Sequence, residues 1–374
     1  MNMENSHKSS HNYGIDLLRI VLMLLVVSGH LLVHTGVRME VEYLSAKWIL
    51  TWGYQSVIVC AVNCFVLITG YFSSTGGGIR VRKIVHLYGE VLLYSLLTYI
   101  ALVAFGKVQL SLTALVRSVF PFFGGQYWFF SSFLLLLLLV PFVNYALVSI
   151  SDRALKILVA IITIVFYVAP IFSIVFTDFD PTEGMGIIGF VTLYIIGYAL
   201  KRLSVKLSKL KCVIALSANC GVIFFSKIVL EYIVNKMQIN AGSGLFYHYN
   251  TVFQLINAVL LLLLFMQINV KGRAAKVISY VSTSVFGIYL MHEHPAIRPV
   301  IWNQELKSYL LGASFVEYAC VALLLPVVVF AVCLVIDKVR YYLGRLIAKT
   351  AFAAKLGSAL VSLENKINEN FDKR

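Results

Sequence analysis

Ten stretches of roughly 20 mostly apolar residues recur along this chain, at about 15–35, 48–70, 84–105, 126–148, 154–176, 186–201, 211–231, 249–268, 275–292 and 314–336. A backbone inside hydrocarbon must satisfy its own hydrogen bonds, and a helix of about 20 residues does so while reaching across the core of a bilayer. The pattern therefore predicts an all-α fold, a polytopic integral membrane helical bundle of about ten transmembrane helices. The sixth stretch is the shortest. Composition agrees: 60% of the 374 residues are hydrophobic, only 13% are charged, and the mean hydropathy is +0.87, well outside the soluble globular range. The polar start, Met1 to Tyr13, runs into the first apolar stretch with no small-residue cleavage pattern, so that stretch is expected to be retained as a span. Residues 110–121, "LSLTALVRSVFP", are too short to span and read as an interfacial helix ended by Pro121. Two regions are expected, a membrane domain over 1–336 and a basic amphipathic cytoplasmic tail over 337–374 lying along the membrane surface.

The formal charge is +14, which in a soluble protein would suggest nucleic acid. Its placement gives a different explanation. With the N-terminus inside, 22 of the 31 lysines and arginines fall in internal segments, from Lys8 to the eight in the tail, against seven in external ones. Arg19 and Lys227 remain within spans, and the external stretch "TDFDPTEG" carries only acids. The positive-inside rule then puts both termini in the cytoplasm. The expected partner is the lipid bilayer, and no nucleic acid is required. Six cysteines (Cys60, Cys64, Cys212, Cys220, Cys320, Cys333) have no paired CxxC spacing and read as small packing residues.

The first span holds an unusual pattern. In "RIVLMLLVVSGH", Arg19 and His30 are eleven residues apart, a rotation of about 1,100°, or three turns plus about 20°. Both side chains face the same way, roughly 16 Å apart along the axis. Asp16 and His34 extend the stripe. Ionisable groups in a spanning helix are costly against lipid, so they are expected to face protein or a watery cavity. The plainer alternative is that Arg19 snorkels to the surface and pairs with Asp16 while His30 only nears the opposite interface.

With this Arg-x10-His pattern the chain resembles the membrane-bound acyltransferase family 3, and within it the surface-polysaccharide O-acyltransferases. Further matching pieces follow in the family's order: "NCFVLITGYF", "RVRK", "QYWFFSSFLLLLLLVPFVN" and "SVFGIYLMHEH". The resemblance covers nearly the whole chain. It implies a bacterial cytoplasmic-membrane enzyme that moves an acyl group, most often acetyl, from cytoplasmic acyl-CoA to a hydroxyl of a cell-surface or lipid-linked glycan. Acetyl-CoA is then the expected donor co-substrate and a glycan or lipid-linked saccharide the acceptor. Many relatives carry an extracytoplasmic esterase-like domain that hands the group onward; this chain lacks one, so direct transfer is expected.

On that reading His30 is the general base for the acceptor hydroxyl, a task suited to an imidazole whose ordinary pKa is near 6.5. A covalent acyl-histidine is the less favoured variant. Arg19 is assigned to the donor. Arg80, Arg82 and Lys83, at the start of span three, are candidates for the coenzyme's phosphates, with Arg80 and Lys83 sharing a face as a fork if the helix starts early. The alternative for these cations is a plain positive-inside anchor. The preceding "STGGG" is flexible but lacks the Lys-Ser/Thr of a P-loop. His86 and Glu90 sit one turn apart; Glu90 is expected to orient a histidine or to pair with a cation such as Arg19, and Asp16 to orient Arg19.

Trp128 and His34 are candidate acceptor contacts, the former equally suited to an interfacial belt. His292, at the family's histidine position, is a candidate acceptor-orienting or structural group. His292, Glu293 and His294 end span nine and His248 begins span eight, on the same side as His30 and His34, so these groups can converge. No metal is expected, because HExxH is absent: Leu31, Leu32 and Val33 separate His30 from His34. Asn63 and Asn144 read as helix-packing hydrogen bonders. The alternative function is a transporter or flippase for a small metabolite or lipid-linked sugar. Lys227 with Glu231 one turn later suits it best, although a simple i, i+4 ion pair accounts for them. A third is a membrane sensor whose basic tail binds anionic lipid.

Overall fold

The computed structural model describes residues 11–73, 78–123, 125–174, 184–238 and 242–372. Lys8, the Ser/Thr/Gly stretch at 74–77 and the acids of the loop within 177–183 lie outside the described residues. Among those described, the chain is helical throughout, with no strand: α1 Tyr13–His34, α2 Ala46–Ile58, α3 Cys60–Tyr71, α4 Val81–Ala104, α5 Leu112–Val119 and α6 Trp128–Ser149 come first. Then come α7 Asp152–Thr163, α8 Ile187–Arg202, α9 Lys209–Met237, α10 Val252–Phe265, α11 Gly272–Ser282 and α12 Val285–His292, followed by α13 Arg298–Ile301, α14 Gln304–Gly312, α15 Phe315–Ile347 and α16 Ala351–Asp372.

Every apolar stretch read from the sequence coincides with a helix or helix pair. Among the described residues eight are long and apolar enough to cross a membrane, with α2 and α3 together forming one of them. The ninth stretch is broken: α11 and α12 meet at 40° across Thr283 and Ser284. The sixth is α8, whose 16 residues give about 24 Å, short of a full hydrocarbon core. It is held by close backbone approach to α3. A Cβ on Gly70 would overlap the Tyr194 backbone, and one on Gly197 would overlap the Leu67 carbonyl, so both glycines are needed for this crossing. The amphipathic α5 occupies the stretch expected to lie at the interface, and ends two residues before Pro121.

Helix α1 is the hub. It packs against α2, α3, α10, α11, α12 and α15, and 56% of its spanning window is buried, against 17% for the peripheral α9. Its start is fixed by Asn12, whose side chain accepts from the Gly14 and Ile15 amides. The same side chain donates to the Met266 carbonyl beyond the end of α10 (3.3 Å). The exposed faces of α4, α6, α7, α9 and α15 carry the large aliphatic and aromatic side chains that a lipid-facing ring requires.

The boundary expected after residue 336 falls inside α15, which continues unbroken to Ile347. Asp337 and Lys338, read as the start of a surface tail, are buried at 1% and 8% exposure because their charges find partners within the bundle. Beyond them α16 docks on the start of α4: Asn368 accepts from the Ile79 amide (2.8 Å) and donates to its carbonyl (3.2 Å).

Candidate active site

The α1 stripe leads to two distinct places. At its first turns, buried Asp16 accepts from Arg19 Nη1 (3.0 Å) and from His11 Nε2 (2.6 Å). Aspartate and arginine are three residues apart, so a single helical turn makes this pair. Arg19 lines a cavity of about 160 Å³ together with Arg80, Lys83, Thr69, Asn144 and Tyr194. The cations at positions 80 and 83 thus line one cavity, but α4 begins at Val81, so Arg80 stands at its N-cap and not on the helical face that an earlier start would give it. Arg82 does not line this cavity. Its backbone N–H and Nη2 donate to Glu364 of α16 (3.0 and 3.4 Å), which corrects its expected place beside the other two. The cavity therefore gathers three cations from α1 and the start of α4. A polyphosphate is the ligand class such a set suits.

Glu90 pairs with a cation, one of its two expected roles, but with a different cation. Its carboxylate pairs with Arg340 of α15 (3.0 Å) rather than with Arg19, since the continuation of α15 brings a cation alongside α4. His86, one turn earlier on α4, is exposed.

At the far end of the stripe α1 meets α12, and the expected convergence occurs. His292 is fully buried and its Nδ1 lies 2.6 Å from the Ile288 carbonyl, an acceptor only, so Nδ1 carries the proton. In the neutral ring Nε2 is then an acceptor. It lies 2.9 Å from His30 Nδ1, which also sits 3.1 Å from Glu293 Oε2. Both neighbours accept, so His30 carries its proton on Nδ1 and presents the lone pair of Nε2. His34 packs its ring 4.8 Å from that of His30 and places Nε2 3.0 Å from Glu293 Oε2. Arg298 Nη1 donates to the other oxygen, Oε1 (3.1 Å).

Glu293 is the centre of this cluster. Burial works against its ionised form, but the His34 hydrogen bond and the adjacent His30 outweigh that, holding the carboxyl below the usual range. His294 is a different case. Its Nε2 donates to the Ser95 carbonyl (3.3 Å), its Nδ1 accepts from the Ala296 amide (3.2 Å), and burial pushes it down to about 4. With both nitrogens engaged it is a structural histidine. His248 takes no part in the hydrogen bonds of the cluster.

His30 Nδ1, His292 Nε2 and a Glu293 oxygen lie within 4.8 Å of one another, near enough to share a metal ion. Hydrogen bonds among these groups account for the same spacing. The i, i+4 pair His30 and His34 is therefore joined by a glutamate, but one contributed by α12's C-terminus.

Trp128 is half-buried and packs on Phe129, Phe190 and Tyr249, an aromatic cluster that leaves it outside the histidine contacts. Asn63 donates to the Tyr249 carbonyl and Asn144 accepts from Tyr194, both at 2.7 Å, as helix-packing hydrogen bonders do. Lys227 pairs with Glu231 (2.6 Å), donates to Ser243 (2.6 Å) and lies 3.8 Å above the Trp52 ring. These contacts satisfy it locally, as the simple ion-pair reading has it.

Glu293 and Arg298 are the site residues that sequence reasoning left without a role. Glu293 was visible beside His292, but nothing local shows that it spans from Arg298 to two histidines of α1. No curated protein and no solved structure matches the chain. A model of the acyltransferase domain, that of acyltransferase family 3, matches residues 12–338, so this helical bundle with its Arg19 cavity and histidine–glutamate cluster belongs to that family and is a membrane acyltransferase.

Proposed function

We propose that the protein is an O-acyltransferase that takes an acetyl group from acetyl-CoA on the cytoplasmic side and delivers it directly to a hydroxyl of a cell-surface or lipid-linked glycan. Arg19, Arg80 and Lys83 hold the phosphates of the coenzyme in their shared cavity, with both termini cytoplasmic as the distribution of lysine and arginine indicates. The pantetheine arm then carries the thioester along the roughly 16 Å of α1 toward His30. A separation of this kind suits a ligand whose charge lies at one end and whose reactive carbonyl lies at the other.

The observation that supports the reading is the hydrogen-bond chain from the Ile288 carbonyl through His292 to His30, which turns the lone pair of His30 Nε2 away from both partners. In the reaction His30 Nε2 takes the proton of the acceptor hydroxyl as its oxygen attacks the thioester carbonyl. The tetrahedral intermediate collapses, the C–S bond breaks, and the coenzyme thiolate recovers the proton from the imidazolium as free thiol. Glu293 stabilises the imidazolium while it exists, and Arg298 fixes the second oxygen of that carboxylate. General-base catalysis of this type contributes about 10²–10⁴-fold. His34 borders the same space and is proposed to contact the acceptor.

The test is transfer of isotopically labelled acetyl from acetyl-CoA into the glycan and lipid fractions of membranes containing the protein. The expected result is covalent label that requires His30. Accumulation of an unmodified metabolite, with no covalent label from any acyl-CoA, overturns the reading in favour of transport. Loss of transfer on chelation and its return with a divalent metal would assign the cluster to a metal in place of a free base.

A further inference from the structure

A break in a membrane helix leaves the carbonyls at the end of the first half without intrahelical partners, and in hydrocarbon each orphan is expensive. At the break between α11 and α12 the Ser282 and Thr283 hydroxyls and the Ser284 amide meet the Ser279, Tyr280 and Val281 carbonyls, and α15 adds a cation at the second of these. Lys338 Nζ donates to the Tyr280 carbonyl and to Thr283 Oγ1 (2.9 Å), placing a cation at the C-terminal end of α11. One residue earlier in α15, Asp337 lies against Gly287 in the first turn of α12, so close that a Cβ on Gly287 would overlap its carboxylate. An anion near the start of one helix and a cation at the end of the other oppose both dipoles favourably.

The contacts extend to a third element. Asp337 Oδ1 accepts from Tyr94 Oη and from Arg340 Nε, each at 2.7 Å, and Arg340 reaches Glu90 of α4 at 3.0 Å. Glu90, Asp337, Lys338 and Arg340 are two acids and two bases, so the fully ionised group is neutral as a unit. Placing two buried and two part-buried ionisable side chains in a bundle is rarely the most stabilising choice, and such groups earn their place through position. What they position is α12. Gly287 immediately precedes Ile288, whose carbonyl fixes the proton on His292, and the same helix ends at His292 with Glu293 as its cap.

We propose that Asp337, Lys338 and Arg340 clamp the α11–α12 break and thereby set His292 and Glu293 in register with His30, which makes them positioning residues for the base. The inference rests on the reading of His30 given above, and it adds a role for charges that the sequence assigns to a surface tail.

The experiment uses the full-length purified protein in lipid nanodiscs and the variants Asp337→Asn, Lys338→Met, Lys338→Arg and Tyr94→Phe. Steady-state acetyl transfer gives kcat and the KM for acetyl-CoA, and hydrogen–deuterium exchange reports on amides 285–293. The expected result is a kcat at least tenfold lower in Asp337→Asn and Lys338→Met with the acetyl-CoA KM within twofold of wild type. Lys338→Arg, which keeps the cation at the break, restores kcat to at least half, and Tyr94→Phe, the mildest change, lowers kcat several-fold. Unchanged kcat in all variants overturns the proposal, as does a parallel loss of kcat, KM and folded fraction with no rescue by arginine. If wild type transfers no acetyl group, the proposed chemistry fails on its own, and the clamp is judged by exchange alone. Faster exchange across 285–293 in Asp337→Asn supports it, and unchanged exchange overturns it.

Discussion

Replacing Glu293 by glutamine isolates the contribution of one charge to the site. The carboxylate faces His30 (3.1 Å) and His34 (3.0 Å) through Oε2 and accepts from Arg298 (3.1 Å) through Oε1, so the substitution keeps the shape and removes the charge from three contacts. In the resting enzyme the effect is small, because His30 retains His292 as a neutral acceptor at 2.9 Å. In the transition state His30 is an imidazolium, and its hydrogen bond to a carboxylate becomes a neutral one. A charge-assisted bond contributes about 1.5–3 kcal/mol, and losing it at the transition state alone slows kcat about ten- to hundredfold. The amide adds a second penalty, since its N–H group can face His30 and favour the wrong tautomer. Binding of acetyl-CoA at the Arg19 end is untouched. Initial rates of labelled acetyl transfer, at matched protein and over a range of acetyl-CoA, therefore show a fallen kcat at constant KM. A kcat within twofold of wild type would refute the assignment of Glu293 as the stabiliser of the imidazolium.

Other consequences are as direct. Arg19→Ala or Lys83→Ala should raise the KM for acetyl-CoA about five- to tenfold with little change in kcat, less than a buried pair would lose because Arg19 is partly exposed. Gly197→Val should destabilise the bundle by roughly 1–3 kcal/mol, read as a lower thermal midpoint in detergent, because α8 cannot move away from α3 without losing their shared core. The Arg82 amide, and then its guanidinium, hold Glu364 below the ordinary carboxylate value. A depressed carboxylate stabilises above its unfolded pKa and loses that contribution as pH falls through the folded one. Docking of α16 should thus be tighter at neutral pH and loosen below about pH 4, seen as lower amide protection over 360–368 after correction for the pH dependence of intrinsic exchange.

The parts of this architecture legible in advance are those that one rigid helix determines. Asp16, Arg19, His30 and His34 align because three-, eleven- and four-residue steps are close to whole turns, whereas Arg80, at the N-cap of α4, joins Lys83 in one cavity without sharing its helical face. What the chain's local pattern conceals is which helix answers each charge. Glu293 lies 259 residues from His34, and Arg82 is 282 residues from Glu364, so no periodicity links them. The continuation of α15 past residue 336 is concealed for a related reason. Asp337, Lys338 and Arg340 look like water-facing charges until Glu90, Tyr94 and the α11–α12 break supply partners for them. That break carries neither proline nor glycine, only Thr283 and Ser284, and so gives little local signal.

The most direct test of the account compares two variants in one assay: kcat for acetyl transfer and equilibrium affinity for acetyl-CoA in His30→Ala and Arg19→Ala. The two ends of α1 should separate in this comparison. His30→Ala should lose kcat by at least about 10²-fold while keeping donor affinity, and Arg19→Ala should weaken donor affinity while keeping most of its kcat. Retention of full activity by His30→Ala, or loss of donor binding by it in place of Arg19→Ala, would contradict the division of labour along this helix.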